Sequence, residues 1–484
     1  MVRAGLLAAT GAALLLLGCR ETESGPVAIS AIGAPPTLAN PNRVALDPPS
    51  ALLAASTAQG LVRFDPAGQI EPALAQSWTV TDDGTSYIFR IGRTEWPGGG
   101  LVTAQQVALR LRAVTSRASR NRLKPLLGAI AEIVAMTDRV IEIRLRSPRP
   151  NFLQLLAQPE MAIIRGDQGT GPFVAEKLPD GAMLLRIRPS DDEEASAAAV
   201  APEIMLRGEP AALAIVRFRR GLAAMVAGGT VADLPLARAA ELPPAALRFD
   251  PAGGMFGLVV AGRTGLVASA EGRRALSMAI DRDSLILGLD VSGLAPRTSL
   301  VPPGIDEQPV PALPAWAPDP LPARQAAARA LVDSTVGEAA TATLRVAMPE
   351  GPGARLIFAH LRRDWRAIGV EAEQVGPSER ADLRFVDEVA PANLASWYLR
   401  HFTCDASIVC NTEADAALEA ARNAPAFEPR REALAAADRL LTDAVPFIPL
   451  AAPVRWSLVS PRLTGFQPNV FGIHSVGSLI APRR

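Results

Sequence analysis

Hydrophobic positions along this chain recur with two periods, and the switches between them mark out the elements. Val27 to Ile32 (VAISAI) is a short apolar run that ends in Gly33-Ala34-Pro35-Pro36, which predicts a strand closed by a turn. Leu61 to Phe64 and Ser86 to Ile91 alternate apolar and polar side chains, as half-buried strands do, and Asp82-Asp83-Gly84 supplies a turn before the second. At Thr103 the period lengthens. Val107, Leu111 and Val114 recur at helical spacing behind an N-capping threonine. Val140 to Leu145 (VIEIRL) alternates again until Ser147-Pro148 stops it.

A charged and then featureless segment, Asp191 to Ala201, reads as a surface connector. A second patterned stretch begins near Gly253. Arg273 to Ile280 is helical, and Asp281 caps a helix from Arg282 to about Leu289. Eight prolines between Pro302 and Pro322 exclude helix and central strand there, leaving an extended surface connection. Ala323 to Asp333 is a helix. Leu344 to Met348, Ala354 to Ile368 and Val370 to Gln374 read as strand, helix and strand, with Ile357, Leu361, Trp365 and Ile368 on one helix face, as a crossover packed on a parallel sheet requires. Thr412-Glu413-Ala414-Asp415 has capping-box spacing, and Pro429 suits the first turn of a helix whose Leu434, Ala437 and Leu441 share a face. No repeat is present. Strands and helices alternating in two separate stretches predict two α/β lobes.

Composition narrows the function classes. Of 484 residues 49% are hydrophobic and 20% charged, enough apolar surface for a large core. Cations and anions balance at 49 each, so no basic field attracts nucleic acid. Three cysteines and three histidines are too few for a disulfide scaffold or for extensive histidine metal chemistry.

The N-terminus carries Arg3 and then an apolar run from Leu6 to Leu17, shorter than the ~20 residues that cross a bilayer but of the length of a signal-peptide core. Its end, Leu16-Leu17-Gly18-Cys19, resembles a bacterial lipobox, in which residues 1–18 are removed and the Cys19 thiol receives lipid; the alternative is an ordinary signal peptide with an incidental cysteine. Lipidation of Cys19 leaves Cys404 and Cys410 as a pair, six apart in an exported protein where thiols oxidise. A disulfide closing so small a loop is worth roughly 2 kcal/mol. The metal alternative adds His401 to the two thiols but lacks a fourth ligand.

Catalytic signatures are missing: no G-x-S-x-G elbow, no phosphate-binding loop ending in Gly-Lys-Ser/Thr, no G-x-G-x-x-G and no H-E-x-x-H. His360 falls on the crossover helix; His401 and His474 are isolated and read as structural. Asp82-Asp83 and Asp191-Asp192 lie in turn-like, solvated segments. No catalytic residue, metal site or cofactor is assigned. A carboxylate pair of the glycosidase kind has no local sequence signature, so a secreted hydrolase stays as a rival.

Ordered blocks run through the chain: Gly60-Leu61-Val62 to Gly68, Glu71-Pro72-Ala73-Leu74-Ala75-Gln76-Ser77-Trp78, and Asp82-Asp83-Gly84-Thr85-Ser86-Tyr87. Trp96-Pro97-Gly98-Gly99-Gly100 with Thr103-Ala104 follows, then Ser147-Pro148-Arg149-Pro150-Asn151-Phe152-Leu153 and Gly169-Thr170-Gly171-Pro172-Phe173. The second half adds Arg274-Ala275-Leu276-Ser277-Met278-Ala279-Ile280-Asp281-Arg282, Pro302-Pro303-Gly304 and Cys404 to Cys410-Asn411. Together they resemble the family 5 extracytoplasmic solute-binding proteins of ABC importers, the dipeptide/oligopeptide-binding group; Gly99 departs from the acidic or polar residue often found there.

The resemblance implies an α/β, two-lobed periplasmic-binding-protein fold (type II, cluster C-like) with a hinge and an additional inserted domain. Domain I would comprise 20–45, 159–251 and 460–484, domain II 46–158, and domain III, the second lobe, 252–459. It also implies an aspartate for a ligand ammonium in a W-x-x-D-x-x-D-P stretch. This chain reads Phe385-Val386-Asp387-Glu388-Val389-Ala390-Pro391, so Asp387 is the positional candidate and Glu388 the second, although the tryptophan and the Asp-Pro are missing. The alternative for Asp387 is a carboxylate at a strand end facing solvent. Trp397 and Tyr398 either wall the cleft or belong to the core. The expected function is a monomeric, periplasmic receptor, tethered to a membrane through Cys19, that captures a peptide or similar small polar solute and passes it to ABC permease subunits. The rivals are a sensor or scaffold of the same fold without a permease, and the hydrolase.

Overall fold

Val27–Ile32 is a strand in which Ile29 and Ala31 are wholly buried, and it lies inside a seven-stranded sheet. Its neighbours on either side, Ile204–Glu209 and Met225–Thr230, run parallel to it. Met183–Ile187 and Phe173–Lys177 extend the sheet past Ile204–Glu209, and Arg455–Val459 and Leu247–Asp250 extend it past Met225–Thr230, all in antiparallel pairing. The structure, a computed structural model, describes residues 25–188, 203–336 and 342–480. Residues 1–18, expected to form a signal peptide, Cys19 and the expected connector at 191–201 lie outside the described residues.

Two short segments, 251–253 and 452–454, carry the chain from this sheet into a five-stranded one and back. The second sheet runs Val370–Val375, Ala342–Ala347, Leu383–Val389, Gly254–Val260, Phe447–Ala451. Its first three strands are parallel and the last two join antiparallel. The predicted crossover helix is Pro352–Ala367, and Ile357, Leu361 and Trp365 are fully buried on its inner face. Trp365 Nε1 donates to the Leu276 carbonyl at 3.0 Å, so the indole is buried without an unpaired donor. Arg455–Val459 falls within the 252–459 segment yet pairs in the seven-stranded sheet.

A third sheet, antiparallel, orders Ala75–Val80, Ser86–Ile91, Val140–Leu145 and Ile130–Thr137. The helix Ala104–Thr115 begins at the predicted cap, with Thr103 and Gln106 in a reciprocal capping box. The segment after this unit reaches across to the second lobe. Ser147 Oγ and Arg149 Nη2 donate to the Arg422 carbonyl at 3.0 and 2.7 Å, and Asn151 Nδ2 donates to the Asn393 carbonyl at 3.0 Å. The Asn393 amide in turn donates to Gln154 Oε1 at 2.9 Å. Phe152 and Leu155 share one continuous apolar cluster with Leu394, Leu418 and Ala421.

Two local expectations shift. The helix Thr412–Asn423 is capped by Asn411, whose side chain accepts from the amides of Glu413 and Ala414, in place of a Thr412–Asp415 box. Asp415 is used elsewhere: its Oδ2 accepts the Cys404 amide at 3.0 Å. The helix expected from Ala323 starts at Leu321, which puts Pro322 in the first turn, where a missing N–H is harmless.

The proline-rich strap is tied down by a fully buried carboxylate. Asp438, on the helix Phe427–Ala444, accepts from Gln308 Nε2 and from the Ala312 amide. Burial pushes its carboxyl up to about 6, against those two hydrogen bonds. A folded-state pKa raised above the ordinary ~3.9 means that the native state binds more protons between about pH 4 and 6, so this group's contribution to stability falls as pH rises through that window. Denaturant unfolding is expected to show the stability of the native chain, relative to Asp438→Asn, dropping by about 1–1.5 kcal/mol from pH 5 to pH 7.5. A pH-independent difference between the two would remove Asp438 as the cause.

Candidate functional site

The strand Met225–Thr230 is irregular where it faces the second lobe. Its register with Arg455–Val459 shifts between Val226 and Gly229, so Ala227 and Gly228 together face Ser457, a β-bulge. Gly228 has φ +80°, and a Cβ there would lie 2.8 Å from Cβ of Pro48. At Gly229 a Cβ would come within 2.2 Å of the Trp456 ring, so only glycine lets that indole lie against the strand. The Trp456 Nε1 donates to the Thr230 carbonyl at 2.7 Å.

This bulge forms one wall of a cavity of about 320 Å³ between the two sheets. The helix Pro48–Thr57 contributes Pro48, Ala51 and Leu52, and the segment Phe471 to His474 closes the same side. The second lobe supplies Asp387, Glu388 and Val389 from the end of Leu383–Val389. Arg122 and Glu160 complete the rim. A larger cavity, about 440 Å³, lies apart from these residues beside the strap, bordered by Trp316, Asp319 and Phe447. The cavity between the lobes is the stronger candidate because both sheets and the bulge converge there.

The two arginines of this wall each pair with a carboxylate. Arg455 Nη1 donates to Asp387 Oδ1 at 2.6 Å, and its Nη2 donates to the Asp387 carbonyl at 3.0 Å. Nη1 also donates to the Val454 carbonyl at 3.0 Å, so three acceptors fix the guanidinium. Burial pushes the Asp387 carboxyl up, with Arg455 opposing the shift. Arg122 Nε meets Glu160 Oε1 at 2.5 Å, and His474 Nε2 lies 3.1 Å from Asp250 Oδ2. Glu388 is the looser carboxylate, 40% exposed in its side chain, 4.0 Å from Arg122 and 3.8 Å from His401.

Of the residues singled out by sequence, Asp387 and Glu388 border the cavity. Asp387 does not face solvent as an open strand-end carboxylate; its side chain is 13% exposed and paired. Trp397 and Tyr398 lie in the helix Ala395–Arg400, packed edge to face with ring centroids 4.7 Å apart, and neither borders the cavity. Both belong to the apolar cluster, and burial pushes the Tyr398 hydroxyl up to about 12. Cys404 and Cys410 are joined by a disulfide with Cα atoms 5.0 Å apart, also away from the cavity. Sequence reasoning missed Arg455, Glu160 and Arg122, and read His474 as merely structural. Among the described residues no three His, Cys, Asp or Glu side chains are placed to hold a metal, and no helix is long and apolar enough to cross a membrane.

Comparison with known proteins agrees with this architecture. The family model for bacterial extracellular solute-binding proteins, family 5, matches residues 69–406. The fold matches the Haemophilus influenzae OppA complex with the peptide RPPGFSPFR at TM-score 0.81, with 17% identity over 94% of this chain and 99% of that one. The Escherichia coli murein tripeptide binding protein MppA superposes at 0.78, with 18% identity over 94% and 97% of the two chains. Its unliganded open form gives 0.65, with 19% identity over 91% and 94%. Among curated relatives, the glutathione-binding protein GsiB of E. coli K12 is 29% identical over 163 residues, 34% of this chain and 31% of that protein. The nickel-binding periplasmic protein of the same organism is 28% identical over 133 residues, 24% of this chain and 25% of that protein. The matched segments span about a quarter to a third of those curated relatives. The chain belongs to the family 5 bacterial extracellular solute-binding proteins, and the relatives that it matches are binding proteins, not enzymes.

The Arg455–Asp387 pair ties the start of a first-lobe strand to the end of a second-lobe strand, so its removal should register in stability. Asp387→Ala leaves a guanidinium that is only 18% exposed without its carboxylate. The expected cost is about 2 kcal/mol, below the ~3–5 of a fully buried pair. In urea unfolding, Asp387→Ala, Arg455→Ala and the double variant should give a coupling energy of at least ~1 kcal/mol; simple additivity would show that the pair does not act as a unit.

Proposed function

We propose that this family 5 chain captures one small molecule, a peptide or similar polar solute, in the cavity between its sheets and hands it to an ABC permease. The observation that carries the reading is the cavity itself, bounded by both lobes beside two short crossings, 251–253 and 452–454, about which the lobes can rotate. The cross-lobe hydrogen bonds from Ser147, Arg149 and Asn151 support a closed arrangement, as does the poorer superposition on an unliganded open relative. A ligand drives closure only through the part of its affinity that differs between open and closed states, out of about 8 kcal/mol for a micromolar complex.

Glu388, the looser carboxylate, presents the second lobe's charge to the ligand, and Asp387, paired with Arg455, borders the same wall. Trp397 and Tyr398 act behind that wall, holding the helix Ala395–Arg400 in place. The mature protein works as a periplasmic monomer tethered through an acylated Cys19, and the Cys404–Cys410 disulfide suits that oxidising compartment. The names of GsiB and MppA, one a glutathione-binding and the other a murein tripeptide-binding protein, favour a short peptide-like solute.

Mass spectrometry of small molecules released on denaturing the purified protein tests the reading. The released compound, added back at about 100 times its Kd, should raise stability by ~2.7 kcal/mol and contract the particle in small-angle scattering. If nothing co-purifies and no solute contracts the particle, the chain is not a receptor of this kind.

A further inference from the structure

The seam between the four-stranded unit and the second lobe gathers positive charge. Arg149, from the segment after Val140–Leu145, borders a narrow cavity of about 30 Å³ there. The second lobe brings to the same cavity Arg400 at the end of Ala395–Arg400, Arg422 near the end of Thr412–Asn423, and Arg430 in the first turn of Phe427–Ala444. Among the described residues no carboxylate borders it. Two carboxylates stand behind. Glu307, wholly buried, accepts from Arg430 Nε at 2.8 Å and from the Ala395 amide at 3.1 Å, so both its oxygens are engaged. Glu419 is shared, with Arg422 Nη2 at 2.7 Å and Arg400 Nη2 at 3.6 Å. Arg149 has neither.

Arg149 is 9% exposed, and its guanidinium donates only to carbonyls, Nη1 to Pro148 at 3.0 Å and Nη2 to Arg422 at 2.7 Å. Carbonyls satisfy N–H groups without neutralising the cation. Burial, and after it the charges of Arg430, Arg400 and Arg422, holds the Arg149 pKa down to about 10, with Glu307 opposing. Arg400 is lowered by burial too, with Arg422 and Arg430 adding to the shift and Glu419 opposing it. Water screens Arg422, whose side chain is 45% exposed, but does little for Arg149 or for Arg430 at 5%. Arg149 Nε makes no hydrogen bond in the structure and is not sealed from a water-sized particle, so a donor remains for something that enters.

A buried cation without a counter-charge is costly, and a charge-assisted hydrogen bond to an anion relieves it. Size selects the anion. A water needs at least ~10–15 Å³ of such space, so a cavity of about 30 Å³ takes a particle the size of one or two waters and no bulky solute.

We propose that this seam is a small-anion site: a chloride-sized monovalent ion sits among Arg149, Arg400 and Arg430 and bridges the two lobes. The ion offsets the repulsion created where Arg149 docks on the second lobe, and so strengthens the contact made through Ser147, Arg149 and Asn151. The site shares no lining residue with the cavity between the sheets, and it stands whichever solute that cavity takes.

The test sets chloride against gluconate, an anion too large for the cavity, at a constant ionic strength of about 0.15 M so that general screening is equal. As chloride replaces gluconate, thermal unfolding of the purified mature protein should move to higher temperature, as for any ligand that binds the native state alone. Arg149→Gln should lose most of that rise and Arg400→Gln should reduce it. Arg186→Gln, which removes an equal charge from the seven-stranded sheet, should keep it. Bromide-soaked crystals of the unaltered protein give a readout that depends on no variant: an anomalous peak within hydrogen-bonding distance of Arg149 and of Arg400 or Arg430. A melting temperature indifferent to the exchange, a rise kept in full by Arg149→Gln, or a seam without bromide overturns the proposal.

Discussion

The bond between Arg455 and Asp387 is the constraint around which the rest is arranged. It joins the first residue of a strand in one sheet to the end of a strand in the other, beside the point where the backbone crosses between them. Both side chains are largely out of water, so each charge depends on the other: separately either would be a buried, uncompensated ion. The pair thus fixes where the second lobe's wall stands relative to the bulge, and it does so with groups that would otherwise face the cavity. Stability at the hinge and the electrostatic character of the cleft are set by the same three hydrogen bonds.

The frame was legible because burial in this fold is periodic and local. Val140–Leu145 alternates because one face of its sheet packs on a helix, and Pro352–Ala367 shows a clean apolar stripe because it covers a sheet. Where a local cue had two readings, tertiary demand chose between them. Asn411 became the cap at Thr412–Asn423 because Asp415 is drawn away to the amide of Cys404. The strap at Pro302–Pro322 could be read as irregular, but nothing in its own sequence indicated that Asp438, more than a hundred residues on, would hold it.

The cavity was legible only in part, for a related reason. Asp387 and Glu388 could be found because they end a strand within a recognisable block. The partner of Asp387 is 68 residues away, and that of Asp250 is 224 away, on segments that have no local signature. Residue type left Trp397 and Tyr398 open between two roles. Aromatic rings suit a binding wall and a core equally well; in the structure both are buried on the helix Ala395–Arg400 and neither borders the cavity. Gly228 and Gly229 carried the one available cue, paired glycines within a strand, which mark a bulge or a close approach of another group.

The bonds that cross from the four-stranded unit to the second lobe end on main-chain atoms at Pro391, Asn393 and Arg422. Backbone carbonyls are present whatever side chain the residue bears. Evolution can therefore rewrite the side chains at those three positions without dissolving the clasp, and the sequence requirement falls on the donors of Ser147, Arg149, Asn151 and Gln158 and on Gln154, whose Oε1 accepts the Asn393 amide. A scaffold divided in this way permits drift in one partner of an intramolecular contact while the other is held still, so the surface around these positions can diversify while the bonds between the lobes persist.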